Sequence, residues 1–139
     1  MFGNSRKRQS GITLLELMIV VVIISLMAVI AYPNYREFVA RAKRNEARAL
    51  LLEIAQNQER FYLQNNRYGN MGELGYADPQ ITDTQSYSVT IGAADANNFN
   101  ATATFLLGGA EAAKCLTFGI DGRGTQTSAP DADCWTKTR

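Results

Sequence analysis

The chain contains no histidine, which removes the residue that proteins use most often as a general base and as a metal ligand. It has one tryptophan, three prolines and two cysteines in 139 residues, a length that suits one domain. No motif places a nucleophile beside a base, and no glycine-rich phosphate loop follows a strand-like segment. We therefore expect a protein that is not an enzyme and that uses no cofactor.

Acidic and basic residues nearly balance over the whole chain, but they are unevenly distributed along it. Residues 1–11 carry three basic side chains and no acid, whereas residues 66–139 carry five basic and eight acidic side chains. A C-terminal region that is net acidic argues against a nucleic-acid surface spread over that region.

One apolar run dominates the N-terminal part of the chain, and it covers residues 12–32 with a single charge, Glu16. At about 1.5 Å per residue, a helix of this length crosses a hydrocarbon core of about 30 Å. Basic residues at positions 6–8 precede the run, and no small-residue cleavage site closes it. This order differs from that of an ordinary secretory signal and predicts a retained membrane anchor behind a short basic leader.

Glu16 is unusual because a carboxylate within a membrane span costs about 2.5–3.5 kcal/mol at the bilayer centre and less near an end. An intramembrane acid is therefore a functional hypothesis that requires a partner. If the leader is cut after Gly11, the new amine of Ile12 would supply a positive charge, in the same chain or in a neighbour. The alternative interpretation is a tolerated carboxylate that reaches the interface.

The residues around this acid form a specific motif, Ser10-Gly11-Ile12-Thr13-Leu14-Leu15-Glu16-Leu17. The segment resembles the prepilin processing motif of type IV pilins. The resemblance implies that a prepilin peptidase cuts after Gly11 and methylates Ile12, where the family more often has phenylalanine. It also implies that Glu16 is needed for assembly, through the N-terminal amine of a neighbouring subunit.

A second helical segment, residues 34–64, follows the anchor and contains neither glycine nor proline. Pro33 matches the helix-kinking proline of the pilin family, and we expect the helix to continue from the anchor with a bend there. Ser25 stands where the family often has a glycine that eases unwinding. The residues predicted to face a sheet share helical spacing: Leu51, Ile54, Ala55, Gln58 and Tyr62.

Short alternating apolar runs predict antiparallel strands after an irregular stretch at residues 66–85. The predicted faces are Tyr87, Val89 and Ile91; Phe99, Ala101, Ala103 and Phe105; and Leu116, Phe118 and Ile120. A turn is predicted at residues 121–124, followed by a C-terminal tail at residues 125–139. The predicted fold class is α+β and type IV pilin-like, with a long N-terminal helix packed on a small antiparallel sheet.

The two cysteines, Cys115 and Cys134, have 18 residues between them, which is not the spacing of a redox or zinc motif. In an exported domain such a pair more often forms one structural disulfide, and the alternative is two buried free thiols. A loop of this size stabilises a small domain by about 3 kcal/mol when it is closed. We expect the disulfide to fasten the tail to the start of the third predicted strand.

The resemblance divides the chain into a leader at residues 1–11, a transmembrane and assembly helix at residues 12–35, and a globular head at residues 36–139. It implies a bacterial inner-membrane protein with its leader in the cytoplasm and its head in the periplasm, which then enters a surface pilus. The implied partners are major and minor pilins, the prepilin peptidase, the inner-membrane assembly machinery, and membrane lipid before assembly. A count of basic residues on the two sides of the anchor favours the opposite orientation, but the cysteine pair and the processing motif outweigh it.

Two further segments are similar to minor type IV pilins of the PilE type. They are residues 49–62 with Asn66-Arg67-Tyr68, and the ending Ala132-Asp133-Cys134-Trp135. The resemblance implies a low-abundance subunit that primes or modulates fibre assembly in twitching motility, adhesion or DNA uptake. A major pilin is the alternative within the family.

Two other functions stay open at this point. A ComP-like pilin, which residues 59–65 also resemble, would capture DNA with exposed cations near an aromatic ring. The candidates are Lys114, Arg123, Lys137 and Arg139, with Trp135 beside the last two, and the plainer alternative is a solvated surface. A type II secretion pseudopilin would hold calcium, and the available carboxylates are Asp121, Asp131 and Asp133. Their spacing matches no calcium loop, so we expect no metal site.

Overall fold

The computed structural model describes residues 11–136. By its internal contacts the chain divides into two compact units, one up to Glu37 and one from Phe38 onward. The basic residues of the predicted leader lie outside the described residues, as do Lys137 and Arg139 of the predicted DNA-binding set.

A single helix, α1, runs from Leu14 to Asn65 and includes Pro33. The sequence between these ends contains no glycine and is rich in alanine, leucine and other good helix formers, so the helix tolerates the one backbone donor that Pro33 removes. The predicted continuity through Pro33 is confirmed, and the bend at this residue stays a prediction. The helix ends where Asn66 takes a φ of 53°, a left-handed conformation that asparagine tolerates better than most residues.

The unit from Phe38 onward contains a five-stranded antiparallel sheet. Its elements are β1 (Gln80–Ile81), β2 (Tyr87–Ala94), β3 (Phe99–Phe105), β4 (Cys115–Asp121) and β5 (Gln126–Pro130), followed by a short 3-10 helix, η1 (Ala132–Trp135). Consecutive strands are neighbours, so short connections suffice and the sheet is a meander. The predicted α+β class is confirmed.

The core of this unit lies between α1 and the sheet. The helix contributes Ala47, Leu51, Ile54 and Gln58, and the strands contribute Tyr87, Val89, Phe99, Ala101, Ala103, Phe105, Phe118 and Ile120. Along β3 the buried and exposed residues alternate with the period of two that a half-buried strand requires. Tyr87 is central, because its ring centroid lies 5.0 Å from that of Phe105 and 5.7 Å from that of Phe118.

A buried side chain connects α1 to the loop that follows it. The amide of Gln58 donates to the carbonyl of Gly69 at 2.7 Å and accepts the backbone N–H of Gly69 at 2.8 Å. Gly69 is buried, and a Cβ at this position would lie 3.1 Å from the ring of Phe61. The loop therefore passes close to the helix, and a side chain at this position would require the ring of Phe61 to move.

The prediction that Leu116 shares a face with Phe118 and Ile120 is wrong. Leu116 is 38% exposed, whereas Cys115 and Phe118 are buried. The pairing of β4 with β5 shifts by one residue between Cys115 and Thr117. A bulge of this kind inserts one unpaired residue and reverses the alternation on one side of it, which buries Cys115 and turns Leu116 outward.

The sequence patterns do not predict the two edge strands, β1 and β5. Each edge is covered in part by a side chain. The indole Nε1 of Trp135 donates to the carbonyl of Thr127 in β5 at 2.6 Å, and the amide of Gln80 donates to the carbonyl of Ile81 in β1 at 3.3 Å. Edge carbonyls without such partners are a template for pairing with another chain.

Candidate functional site

The segment with the predicted processing site directly precedes α1. Gly11, Ile12 and Thr13 lie outside the helix, and Ile12 is 76% exposed. The hydroxyl of Thr13 accepts the backbone N–H of Glu16 at 3.2 Å, and its carbonyl accepts that of Leu17 at 3.2 Å. Thr13 therefore caps the N-terminus of α1, and Glu16 occupies the fourth position of a Thr-x-x-Glu capping pattern.

This cap gives Glu16 a physical role that the sequence analysis does not predict. A carboxylate in the first turn of a helix is stabilised by the helix dipole and by the N–H groups that have no partner within the helix. In the sequence, the Thr-x-x-Glu spacing of Thr13 and Glu16 indicates this capping role. The peptide bond after Gly11 lies in an open segment of the described chain, since a Cβ on Gly11 would meet no described atom within 4 Å beyond its chain neighbours.

In the unit up to Glu37, α1 exposes apolar side chains on all sides. The large apolar residues from Leu14 to Ile30 are between 47% and 79% exposed. The helix is long and apolar enough to cross a membrane, with a mean hydropathy of 3.0 in its most apolar part. Ser25 donates its hydroxyl to the carbonyl of Val21 at 2.7 Å, so this polar group is satisfied within the helix. A surface of this kind requires lipid or other apolar protein as its neighbour.

In the unit from Phe38 onward, two arginines one turn apart on α1 hold the C-terminal part of the chain. Arg44 forms a two-pronged ion pair with Glu111, in which Nη2 and Oε2 lie 2.7 Å apart. The two side chains are 5% and 14% exposed, so water screens the pair little. Arg48 donates to the carbonyl of Cys134, and its guanidinium lies 5.7 Å from the ring centroid of Phe118. Burial, and then the charge of Arg44, lower the pKa of Arg48.

The structure joins Cys115 and Cys134 in a disulfide, with their Cα atoms 5.9 Å apart. The bond links the start of β4 to η1, as the sequence predicts. Next to it, the hydroxyl of Tyr87 donates to the carbonyl of Cys115 at 3.1 Å, and burial raises the pKa of this tyrosine. One covalent bond and the arginine contacts thus fix the C-terminal segment against the helix and the sheet.

The three carboxylates considered as calcium ligands do not come together. Asp121 lies in the turn after β4, where its side chain accepts the N–H groups of Thr125 at 2.7 Å and Arg123 at 3.0 Å. The hydrogen bond from Thr125 is the main cause of its lowered pKa. Asp131 and Asp133 lie at η1, beyond the other end of β5, where Asp131 caps the 3-10 helix. Within residues 11–136, no group of three His, Cys, Asp or Glu residues is placed to hold a metal ion.

The structure also separates the predicted DNA-binding residues that it describes. Lys114 and Arg123 are exposed but lie at opposite ends of β4. Trp135 packs edge-on against Phe118, with ring centroids 5.7 Å apart, and it donates its N–H to Thr127. This indole covers a sheet edge and does not form a free platform for a base.

A different set of aromatic and basic residues meets at the C-terminal end of α1. The guanidinium of Arg67 lies 5.3 Å from the ring centroid of Phe61 and pairs with Glu73 at 2.6 Å. The hydrogen bond from Arg67 lowers the pKa of Glu73 to about 2. The rings of Tyr62 and Tyr68 lie 4.8 Å apart beside them. The aromatic and arginine residues at 61–68 carry the sequence signal for this cluster, which the predicted DNA-binding set omits.

Comparisons with known proteins find two family profiles. Residues 33–119 match the family described as "Type IV minor pilin ComP, DNA uptake sequence receptor". Residues 6–32 match the "Prokaryotic N-terminal methylation motif".

Similar proteins include the Type IV major pilin protein PilA of Myxococcus xanthus, which is 40% identical over 95 residues, or 68% of this chain and 43% of that protein. Type II secretion system core protein G of Pectobacterium carotovorum is 36% identical over 67 residues, or 48% of this chain and 43% of that protein. The chain thus spans less than half the length of these relatives.

Among solved structures, the non-core minor pilin PilV of Neisseria meningitidis matches with a TM-score of 0.50 and 20% identity. The match covers 66% of this chain and 88% of that chain. At this level of identity it shows the fold alone.

Proposed function

The chain belongs to the type IV pilin family, and we propose that it is a structural subunit of a type IV pilus. The observation that carries this proposal is the helix α1, whose first part exposes apolar side chains on all sides directly after Gly11. Such a helix suits lipid before assembly and neighbouring helices in a fibre afterwards. Because apolar contacts replace apolar contacts, the transfer is nearly neutral for the hydrophobic effect, and packing decides the assembly.

We also propose that a prepilin peptidase removes residues 1–11 and methylates Ile12. The match to the methylation motif and the open segment around Gly11 support this step. In the fibre, the amine of Ile12 then meets Glu16 of a neighbouring subunit. A buried charge pair of this kind fixes register, because an offset of one turn would leave both charges unpaired.

The test of this proposal is the mass of the N-terminal peptide from protein recovered in sheared surface fibres. A peptide that begins at methylated Ile12 is expected. A chain that retains Met1 and stays in the membrane fraction would overturn both the processing and the assembly.

The proposed role within the family is that of a minor pilin, which primes or modulates assembly. The description of the family that matches residues 33–119 supports this choice, whereas several similar proteins are major pilins. Quantitative mass spectrometry of purified fibres distinguishes the two roles. A minor pilin contributes a small fraction of the subunits, and a chain that made up the bulk of the fibre would be a major pilin.

For location, we propose a single span at residues 12–35 in the bacterial inner membrane, with the leader in the cytoplasm and the head, residues 36–139, in the periplasm. The disulfide supports an oxidising compartment for the head. The proposed partners are other pilins, the prepilin peptidase, the inner-membrane assembly machinery and membrane lipid. A protease added to intact spheroplasts should digest the head, and in the unprocessed precursor it should leave the leader intact.

DNA capture is the second candidate function, because the matching family is described as a DNA uptake sequence receptor. In this chain the aromatic and basic cluster at Phe61 and Arg67 is the surface that fits it best. The ion pair of Arg67 with Glu73 opposes it, since it occupies the cation. A gel-shift titration of residues 36–139 against duplex DNA decides the matter: binding that is tight and weakens with salt supports DNA capture.

A calcium-holding secretion pseudopilin receives no support from the geometry. The carboxylates of Asp121, Asp131 and Asp133 are separated. The similarity to the secretion protein is confined to 67 residues. The thermal stability of the head should therefore be the same with calcium as with a chelator.

A further inference from the structure

The loop between β3 and β4 exposes an apolar tip, which we call the leucine tip and define as residues 106–109. Leu106 and Leu107 are 51% and 56% exposed. Gly108 and Gly109 follow with φ values of 64° and 81°, where other residues are strained. The backbone therefore turns sharply after two adjacent leucines, and about half of each leucine remains outside the core of the head.

The leucine tip lies at the end of its unit where α1 enters. Glu111, in the same loop, forms its ion pair with Arg44, which stands six residues after the first residue of the unit, Phe38. Leu106 donates its N–H to the carbonyl of Ser86 in the adjacent turn at 2.9 Å. At about 1.5 Å per residue, the contact at Arg44 is about 9 Å along the helix from Phe38.

We propose that the leucine tip inserts into the interface of the membrane that holds the chain's own anchor, before the subunit joins a fibre. This inference rests on the proposed membrane anchoring. Only residues 33–37 lie between the apolar run and the first residue of the unit that carries the tip. Tyr32, Tyr35 and Phe38 are 64%, 67% and 64% exposed along this junction, and aromatic side chains favour the headgroup region.

The charges around the tip are compatible with a bilayer surface. Lys43 on α1 and Lys114 at the base of the loop are positive. Asp83 in the adjacent turn and Glu46, which accepts hydrogen bonds from Thr84 of that turn, are negative. Arg44 and Glu111 neutralise each other. With so small a net charge, apolar insertion drives the contact, and anionic lipid strengthens it only modestly.

A head that contacts the bilayer at both the anchor and the leucine tip has two points of attachment. The rotation of the head about α1 is then restricted. In every subunit that has not yet joined a fibre, the head therefore has the same orientation relative to the membrane. The contact ends when the anchor leaves the bilayer.

The test places a tryptophan in the tip of the full chain, as L107W, in phosphatidylcholine–phosphatidylglycerol vesicles at a low protein-to-lipid ratio. The matched control is L63W, because Leu63 is 83% exposed and lies at the other end of α1 in the same unit. Lipids brominated near the headgroup should quench the added emission of L107W, with a shift to shorter wavelength. The emission of L63W should remain at the level of an unquenched exposed tryptophan.

Flotation of the same vesicles distinguishes a failure of the membrane anchoring from a failure of the leucine-tip contact. A chain that does not float refutes the anchoring, whereas a chain that floats without quenching of L107W overturns the leucine-tip contact alone. Equal quenching of both variants would also overturn it, since the whole head would then lie on the bilayer.

A second measurement avoids the bulk of tryptophan. The paired substitution L106S and L107S removes the apolar contact, and both side chains are exposed in the parent protein. In vesicles, Lys114 should then react faster with a water-soluble amine reagent than in the parent, and in detergent the two rates should be equal. Equal rates in vesicles would overturn the proposal.

Discussion

Replacing Gln58 with methionine should destabilise the head more than any surface change on α1. The side chain is fully buried and satisfies both backbone groups of Gly69, at 2.7 Å and 2.8 Å. Methionine has a similar volume and fills the site, but it leaves a buried N–H and a buried carbonyl without partners. Each such group costs about 1–3 kcal/mol, so we expect a loss of about 2–5 kcal/mol in the free energy of unfolding. Water is a poor substitute here because the ring of Phe61 lies against Gly69.

The assay is urea unfolding of residues 36–139 with the disulfide intact, followed by circular dichroism. The matched control is Gln56→Met, because Gln56 is exposed two residues away on the same helix and should change the free energy by less than about 0.5 kcal/mol. If Gln58→Met and Gln56→Met shifted the midpoint equally, the two hydrogen bonds would not be what fixes the loop to the helix.

Three further perturbations test other parts of the molecule. Because the pKa of Glu73 is held at about 2 by Arg67, below the ordinary 4.5, the stability from this pair is complete above pH 4.5 and is lost as the pH falls towards 2. Arg67→Gln should return the pKa of Glu73 towards 4.5 in a carboxyl NMR titration, and an unchanged value would contradict the assignment. Replacing Cys115 and Cys134 by serine should lower the free energy of unfolding by about 3 kcal/mol in the same urea assay, and a loss below about 1 kcal/mol would show that the arginine contacts suffice. Glu16→Ala should leave membrane insertion intact and reduce recovery in sheared fibres, whereas normal recovery would remove the proposed role in register.

Much of the head could be predicted because its patterns are local. The spacing of Leu51, Ile54 and Gln58 gives the buried face of α1, and the alternation from Phe99 to Phe105 gives β3. Such periodicities depend on one buried face and little else.

The edge strands could not be predicted, because they lack that pattern. β1 has two residues, and β5 buries none of its five. Their strand conformation comes from hydrogen bonds to neighbours that are distant in sequence. The exposure of Leu116 could not be predicted for a similar reason, since the bulge beside it is set by the pairing of β4 with β5 and not by a local pattern.

At the site, the motif around Gly11 and Glu16 could be read from the sequence, because it consists of adjacent residues. The ion pair of Arg44 with Glu111 could not, since 67 positions separate the two residues. The same is true of Arg48 and the carbonyl of Cys134, 86 positions apart. In the sequence, the basic residues after the anchor bear only on orientation, whereas the structure holds Arg44 and Arg48 within the head.

The partly covered edges of the sheet affect how closely subunits can be packed in a membrane without pairing. If the chain is anchored as proposed, its heads are confined to two dimensions, where encounters between like surfaces are frequent. Trp135 occupies one carbonyl of β5 and Gln80 one carbonyl of β1, so these two groups are not available to start a shared sheet. In the proposed pilin role, these contacts oppose pairing between the sheets of neighbouring heads, and assembly depends on the apolar helix.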